Sequence, residues 1–238
     1  MDEFLDKYIF PRFSKFVGRS KVTKDGFPVY SASEDIFNTI SHVLGIFIGF
    51  GMFVISFFNH TSFVGMVGGM IFGVTLIILY SASSVYHGTP EKYLKEKRIF
   101  RVMDHCSIFI LIAGTCTPFV LKMIYATSDE TEWIFYAVIW IVALIGIALL
   151  SIDLKKYKSI ATIMYIFMGF AIVARTDLIY SFIGAEGIGL FLAGGVVYLI
   201  GFLFYGLGSK RQWMHGIFHV LCIVGSMLHC VCIANFIV

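Results

Sequence analysis

KRQWMHGIFHVLCIVGSMLHC, residues 210–230, opens with two cations and runs at once into an apolar segment that continues to the end of the chain. Inside it stand His215 and His219, four residues apart. On a helix, residues at that spacing share one face, about 6 Å apart along the axis. From that distance two imidazoles reach one metal ion. An ionisable side chain inside an apolar span is costly and reads first as functional. The rest of the chain is therefore read by asking what else reaches these two histidines.

Similar apolar runs recur throughout. The chain has 238 residues, 58% hydrophobic and 14% charged, where about 25% charged is usual for globular chains. Its mean hydropathy is +0.87. Runs of about 18 residues or more with few charges predict membrane-spanning helices, and short alternating segments of the β-barrel kind are not visible. The fold expected is all-α: a polytopic, seven-transmembrane helix bundle, with spans near 36–58, 63–86, 102–121, 133–152, 159–175, 187–207 and 214–237. The net charge of +3 carries no nucleic-acid message, because the cations lie in short clusters between apolar runs. The acidic start MDEFLDKYIF, residues 1–10, does not read as a cleavable signal peptide. The cysteines, Cys106, Cys116, Cys222, Cys230 and Cys232, all fall in apolar segments and read as small packing residues.

Residues 1–33 form an N-terminal tail, read as a short interfacial helix or a solvated segment, and 34–238 one transmembrane domain. Sixteen of the eighteen lysines and arginines fall in the tail and in alternate loops; the other side has only Lys122 and Arg175, with Asp129, Glu130, Glu132, Asp177 and Glu186. By the positive-inside rule the N-terminus is cytoplasmic and the C-terminus outside.

Orientation sets depth. His87 ends the second span, Asp104 begins the third, and His215 and His219 begin the seventh, all near the inner face. Ser83 lies one turn above His87. Three neutral imidazoles suit Zn²⁺ with a fourth position left for water. Asp104 would hold that water or act as general base, and Ser83 would orient a carbonyl or hold the water. A single histidine in an apolar span more often packs and hydrogen-bonds, and HxxxH alone reads either way. His87 and Asp104 at matching depth favour a metal.

The first span carries a second stripe, Glu34, Asn38 and His42, with Asp35 and Ser41 beside it. It reads as a helix cap followed by interhelical hydrogen bonds, or as support for the histidine layer or a proton route. His105 points away from Asp104, and His229 lies about 15 Å further along the last helix than His219. Pro118, in AGTCTPF (113–119), frees a carbonyl one turn back, which Thr115 and Thr117 are placed to satisfy; a kink there opens a lipid cavity or serves packing.

Together EDIFNTISHVLG (34–45), SSVYHG (83–88), RVMDHCSIFILIAGTCTPF (101–119) and HGIFHVLCIVGSMLH (215–229) resemble the haemolysin III family, bacterial relatives of the progestin and adiponectin receptor proteins. Cys116 stands where that family often has tyrosine. The resemblance implies a zinc ion held by His87, His215 and His219 near the cytoplasmic side, with Asp104 and Ser83 positioning water at the metal. It also implies, through the wider superfamily, hydrolysis of lipid amides such as ceramides.

Three functions follow as expectations. The first is a zinc-dependent lipid-amide hydrolase of the cell membrane. The second is a non-enzymatic membrane regulator with structural zinc. The third is a haemolytic pore-former, which the clustering of polar groups at one face disfavours. Membrane lipids are the expected partners.

Overall fold

The computed structural model describes residues 21–22, 28–128, 130–208 and 211–238. The expected interfacial helix, and the charges Lys210 and Asp129, lie outside them. Two two-residue strands, β1 (Lys21–Val22) and β2 (Pro28–Val29), pair antiparallel. They are followed by seven helices: α1 (Ala32–Phe58), α2 (Phe63–Gly88), α3 (Leu94–Thr127), α4 (Glu130–Ile152), α5 (Leu154–Ala171), α6 (Thr176–Gly208) and α7 (Met214–Phe236). A 3₁₀ turn, Ile172–Arg175, joins α5 to α6.

Among the described residues, six continuous helical segments are long and apolar enough to cross a membrane. The fifth, Leu154–Gly208, merges α5, the 3₁₀ turn and α6 into 55 residues. Gly184 breaks its helical conformation at φ 61°, a left-handed value that glycine adopts without the Cβ penalty. Bulky apolar side chains cover the outside, among them Phe47, Ile163, Phe167 and Leu203. Such a surface would aggregate in water and suits lipid. The chain is a multi-pass membrane protein.

Helix starts follow local chemistry. Ser31 caps α1: its hydroxyl accepts from the Glu34 amide, and Glu34 Oε2 accepts in return from the Ser31 amide at 2.9 Å. Ser62 caps α2 by accepting from the Gly65 amide. α3 starts at Leu94, ahead of the expected 102, because the helix persists through charged residues that hydropathy does not count.

α3 is the central helix: 72% of its apolar window is buried, against 22–50% for the others. Phe109, Phe119 and Met123 fill the space between it and its neighbours. Pro118 lies inside α3 and packs against Gly68 of α2. The hydroxyls of Thr115 and Thr117 donate to the carbonyls of Leu111 and Ala113, so neither takes the Gly114 carbonyl that the proline frees. Between the two readings of that proline, the contacts are those of packing.

α1 and α2 touch backbone to backbone. A Cβ on Gly73 would meet the Gly49 carbonyl and the Phe53 amide, both at 2.8 Å. Small residues permit such approach between membrane helices. Gly73→Ala is expected to cost about 1–3 kcal/mol by forcing the helices apart. Thermal unfolding in detergent should show a Tm several degrees lower. Gly169→Ala, where an added methyl meets open space, should not fall; equal melting of all three proteins would contradict the crossing.

Candidate metal centre

Three helices bring five side chains to one end of the bundle: Ser83 and His87 close α2, Asp104 sits in α3, and His215 and His219 open α7. One ring nitrogen from each of His87, His215 and His219 lies within 4.8 Å of the other two, and the three residues are buried. His215 Nε2 stands 3.3 Å from His87 Nε2 and 3.0 Å from His219 Nε2. Zn–N bonds of about 2.0–2.1 Å at tetrahedral angles require nitrogens about 3.3–3.4 Å apart. A neutral imidazole has one N–H, so three converging nitrogens satisfy one another poorly by hydrogen bonds. The set fits a metal ion and could hold one.

His87 has its tautomer fixed from behind. Its Nδ1–H donates to Asp35 Oδ1 at 2.9 Å, leaving the Nε2 lone pair free toward the other two rings. Lys97 Nζ donates to the other Asp35 oxygen at 3.1 Å. Carboxylate support of this kind orients ligand histidines and raises their basicity. Asp35→Ala is expected to lower metal affinity about 10- to 100-fold. Competition against a chelator would read it, and an unchanged affinity would contradict the role.

The remainder of the α1 stripe also faces the histidines. Asn38 Nδ2 is 3.5 Å from His87 Nδ1, and the His42 ring stacks on His219 at 3.6 Å and 12°. Glu34 does two things at once: it completes the α1 cap, and its Oε1 accepts from the Trp213 amide at 2.6 Å. Trp213 precedes α7 at φ 64°, so this bond holds the strained entry to the helix that carries His215. Cap and site support therefore share one stripe.

Ser83 is hydrogen-bonded to the Asp104 carboxylate. Asp104 lines a cavity with His215, Tyr30, Tyr86, Arg101, His105, Lys158 and Tyr205. About 20 Å³ of it is open to the centre of a water molecule, enough for one. Tyr30, just ahead of α1, covers the histidines: its ring stacks on His215 at 4.9 Å and 22°. Desolvation pushes its phenol well above the ordinary value, and the neighbouring Tyr86 and Tyr205 act in the same direction. It is thus a protonated donor at neutral pH.

His105 and His229 stand outside the converging set, but His105 does not point away from Asp104 as the helical spacing suggested: its Nδ1 lies 3.5 Å from Asp104 Oδ2, in the lining of the same cavity. His105 Nδ1–H donates to the Arg101 carbonyl at 2.9 Å, and the Tyr205 hydroxyl is 3.1 Å from its Nε2. His229 Nε2 donates to the Phe191 carbonyl at 3.0 Å. Sequence reasoning placed Asp35 beside a stripe that it read as a helix cap or as support for the histidines, and missed Tyr30, Lys97 and Tyr205 as neighbours of the site. Asp35 alone carried a signal, standing three and seven residues before Asn38 and His42 on one helical face.

A family model described as Haemolysin-III related matches residues 30–230. The chain is 32% identical to the Hemolysin-3 homolog of Bacillus subtilis (strain 168) over 208 residues, 85% of this chain and 95% of the relative. It is 29% identical to Hemolysin-3 of Bacillus cereus over 207 residues, 86% and 92% of the two. A more distant likeness, 22% over 225 residues, reaches the Adiponectin receptor protein of Drosophila melanogaster, covering 84% of this chain and 50% of that one. The matched region holds all seven helices up to the last turns of α7, with every converging histidine inside it, and the chain belongs to the haemolysin III family, related to the progestin and adiponectin receptors and resident in the cell membrane.

Proposed function

We propose that this protein is a zinc-dependent hydrolase of lipid amides, ceramide-like in character, acting at the inner leaflet. The observation that carries the reading is the convergence of three histidine nitrogens, one of them backed by Asp35, beside a cavity that holds Asp104. Zinc bound there by His87, His215 and His219 would supply a Lewis acid that makes water nucleophilic near neutral pH. Asp104 takes the proton of the attacking water and returns it to the nitrogen of the departing amine as the C–N bond breaks. Ser83 holds the Asp104 carboxylate in place. Tyr30 and Tyr86 line the cavity.

The orientation belongs to the same reading. A straight helix of 55 residues would be about 80 Å long, against a hydrocarbon core of about 30 Å. The 3₁₀ turn and Gly184 divide that segment into two spans, making seven. With the cationic loops inside, the histidine end is cytoplasmic and the C-terminus outside. The ion pair between Arg175 and buried Glu132 then lies at the outer end.

One observation favours a second reading, in which the zinc is structural and the protein a membrane regulator. The cavity admits little more than a water molecule, and Tyr30 lies across the histidines. The lytic activity in the names of the Bacillus relatives is a third reading, which dye release from liposomes would test. The deciding experiment is release of fatty acid from lipid amides in detergent micelles, before and after chelation. Chelator-sensitive release supports the hydrolase; none, from folded and metal-loaded protein, leaves the regulator.

A further inference from the structure

Among the residues that line the cavity, Tyr30 alone stands outside a helix. Tyr86, Asp104, Lys158, Tyr205 and His215 are carried by α2, α3, α5, α6 and α7. Moving any of them means shifting or unwinding a packed helix. Tyr30 occupies the single position between β2, which ends at Val29, and Ser31, the cap of α1. From Ser31 onward the chain is fastened. The Ser31 amide and hydroxyl both donate to Glu34 Oε2, at 2.9 and 2.8 Å, and Glu34 Oε1 accepts from the Trp213 amide. Tyr30 is held instead by ring contacts, on His215 at 4.9 Å and 22° and on His87 at 5.2 Å and 56°. Ring contacts are weaker than the charge-assisted bonds of that clasp. A cavity with room for about one water molecule passes neither an acyl amide nor a hydrated cation. The arrangement is therefore a closed one, and the side chain free to yield is the one no helix carries.

We infer that Tyr30 is a lid on the histidine centre, swinging out ahead of the fixed Ser31 cap to admit metal and ligand and folding back to shut the site. A side chain that closes in this way keeps the centre from bulk water between openings. The two facts that favour a structural metal, the small cavity and the ring across it, are then properties of the closed state. The lid's role as a gate for metal rests on the centre proposed above. Its covering of the histidines does not, and is testable in metal-free protein.

The first readout is carbethoxylation of His215 by diethyl pyrocarbonate in the purified, metal-free full chain, followed by mass spectrometry. Exposed His60 serves as the open reference. His229, buried and bonded to the Phe191 carbonyl, reports folding and should stay unlabelled. His215 is expected to react far more slowly than His60 in the wild type and in Tyr30→Phe, which keeps the ring. In Tyr30→Ala it should react about tenfold faster, the upper end of what a lost ring contact allows. Tyr30→Leu, which keeps apolar bulk, should fall between and stands in if the alanine variant labels at His229. The second readout is the rate of zinc uptake and of zinc loss to a chelator. A gate speeds both in Tyr30→Ala and leaves Kd within about threefold, whereas a structural support changes Kd through loss alone. His215 labelled at one rate in wild type, Tyr30→Leu and Tyr30→Ala overturns the inference. So does weakened zinc binding with unchanged uptake. Faster labelling with no zinc taken up by any of the proteins leaves the lid standing and removes the metal. Equal labelling with zinc bound does the reverse.

Discussion

Asp104→Asn protein is expected to keep its metal and to lose lipid-amide hydrolysis about 100- to 10,000-fold, the range that general acid–base catalysis supplies. Asparagine preserves the shape of the side chain and its hydrogen bond to Ser83 but cannot accept a proton at neutral pH. His87, His215 and His219 are untouched by the change, so zinc content should stay at the wild-type level. Fatty-acid release measured beside metal content separates the two effects. Retained turnover would remove Asp104 from the reaction. Lost zinc would show instead that the carboxylate supports the metal site, the role expected of Asp35, which bonds to His87.

His219→Ala is expected to weaken zinc binding by more than about 100-fold, since zinc sites of four ligands bind with about 10–16 kcal/mol and each ligand carries a sizeable share. Turnover should fall with occupancy. His42→Ala provides the contrast. The His42 ring lies flat on His219 at 3.6 Å, yet His42 is outside the converging set. Both of its ring nitrogens are buried and make no hydrogen bond among the described residues. Its loss should leave zinc stoichiometry intact, whatever it does to stability. Affinity titrated against a competing chelator distinguishes the two variants. Equal losses in both would mean that the three nitrogens are not the ligand set.

The helices were legible because membrane spans are long apolar runs. Their ends were less so, for a physical reason. Hydropathy registers where the hydrocarbon begins, whereas hydrogen bonding lets a helix run on into charged residues, as α3 does from Leu94. The 3₁₀ turn and Gly184 inside Leu154–Gly208 leave no break in the apolar run, so the structure shows one long segment where the sequence suggests two spans. His87, His215 and His219 were legible as a group because orientation assigns depth, and depth is what helices in a bundle share.

Their supports were hidden. Which face of α1 meets α2 decides that Asp35, rather than Glu34, reaches His87, and packing alone decides that face. Tyr30 precedes the first helix and has no periodicity to announce it. Arg101 and Lys158 entered the sequence reading only as charges that orient the chain, yet both turn into the cavity.

The most direct test of the central claim is the metal content of the detergent-purified full chain by mass spectrometry, wild type beside His215→Ala/His219→Ala. The account predicts about one zinc per wild-type chain and essentially none in the folded double variant. A well-folded wild type without zinc that takes up none when zinc is supplied, or a double variant that retains it, would contradict the account.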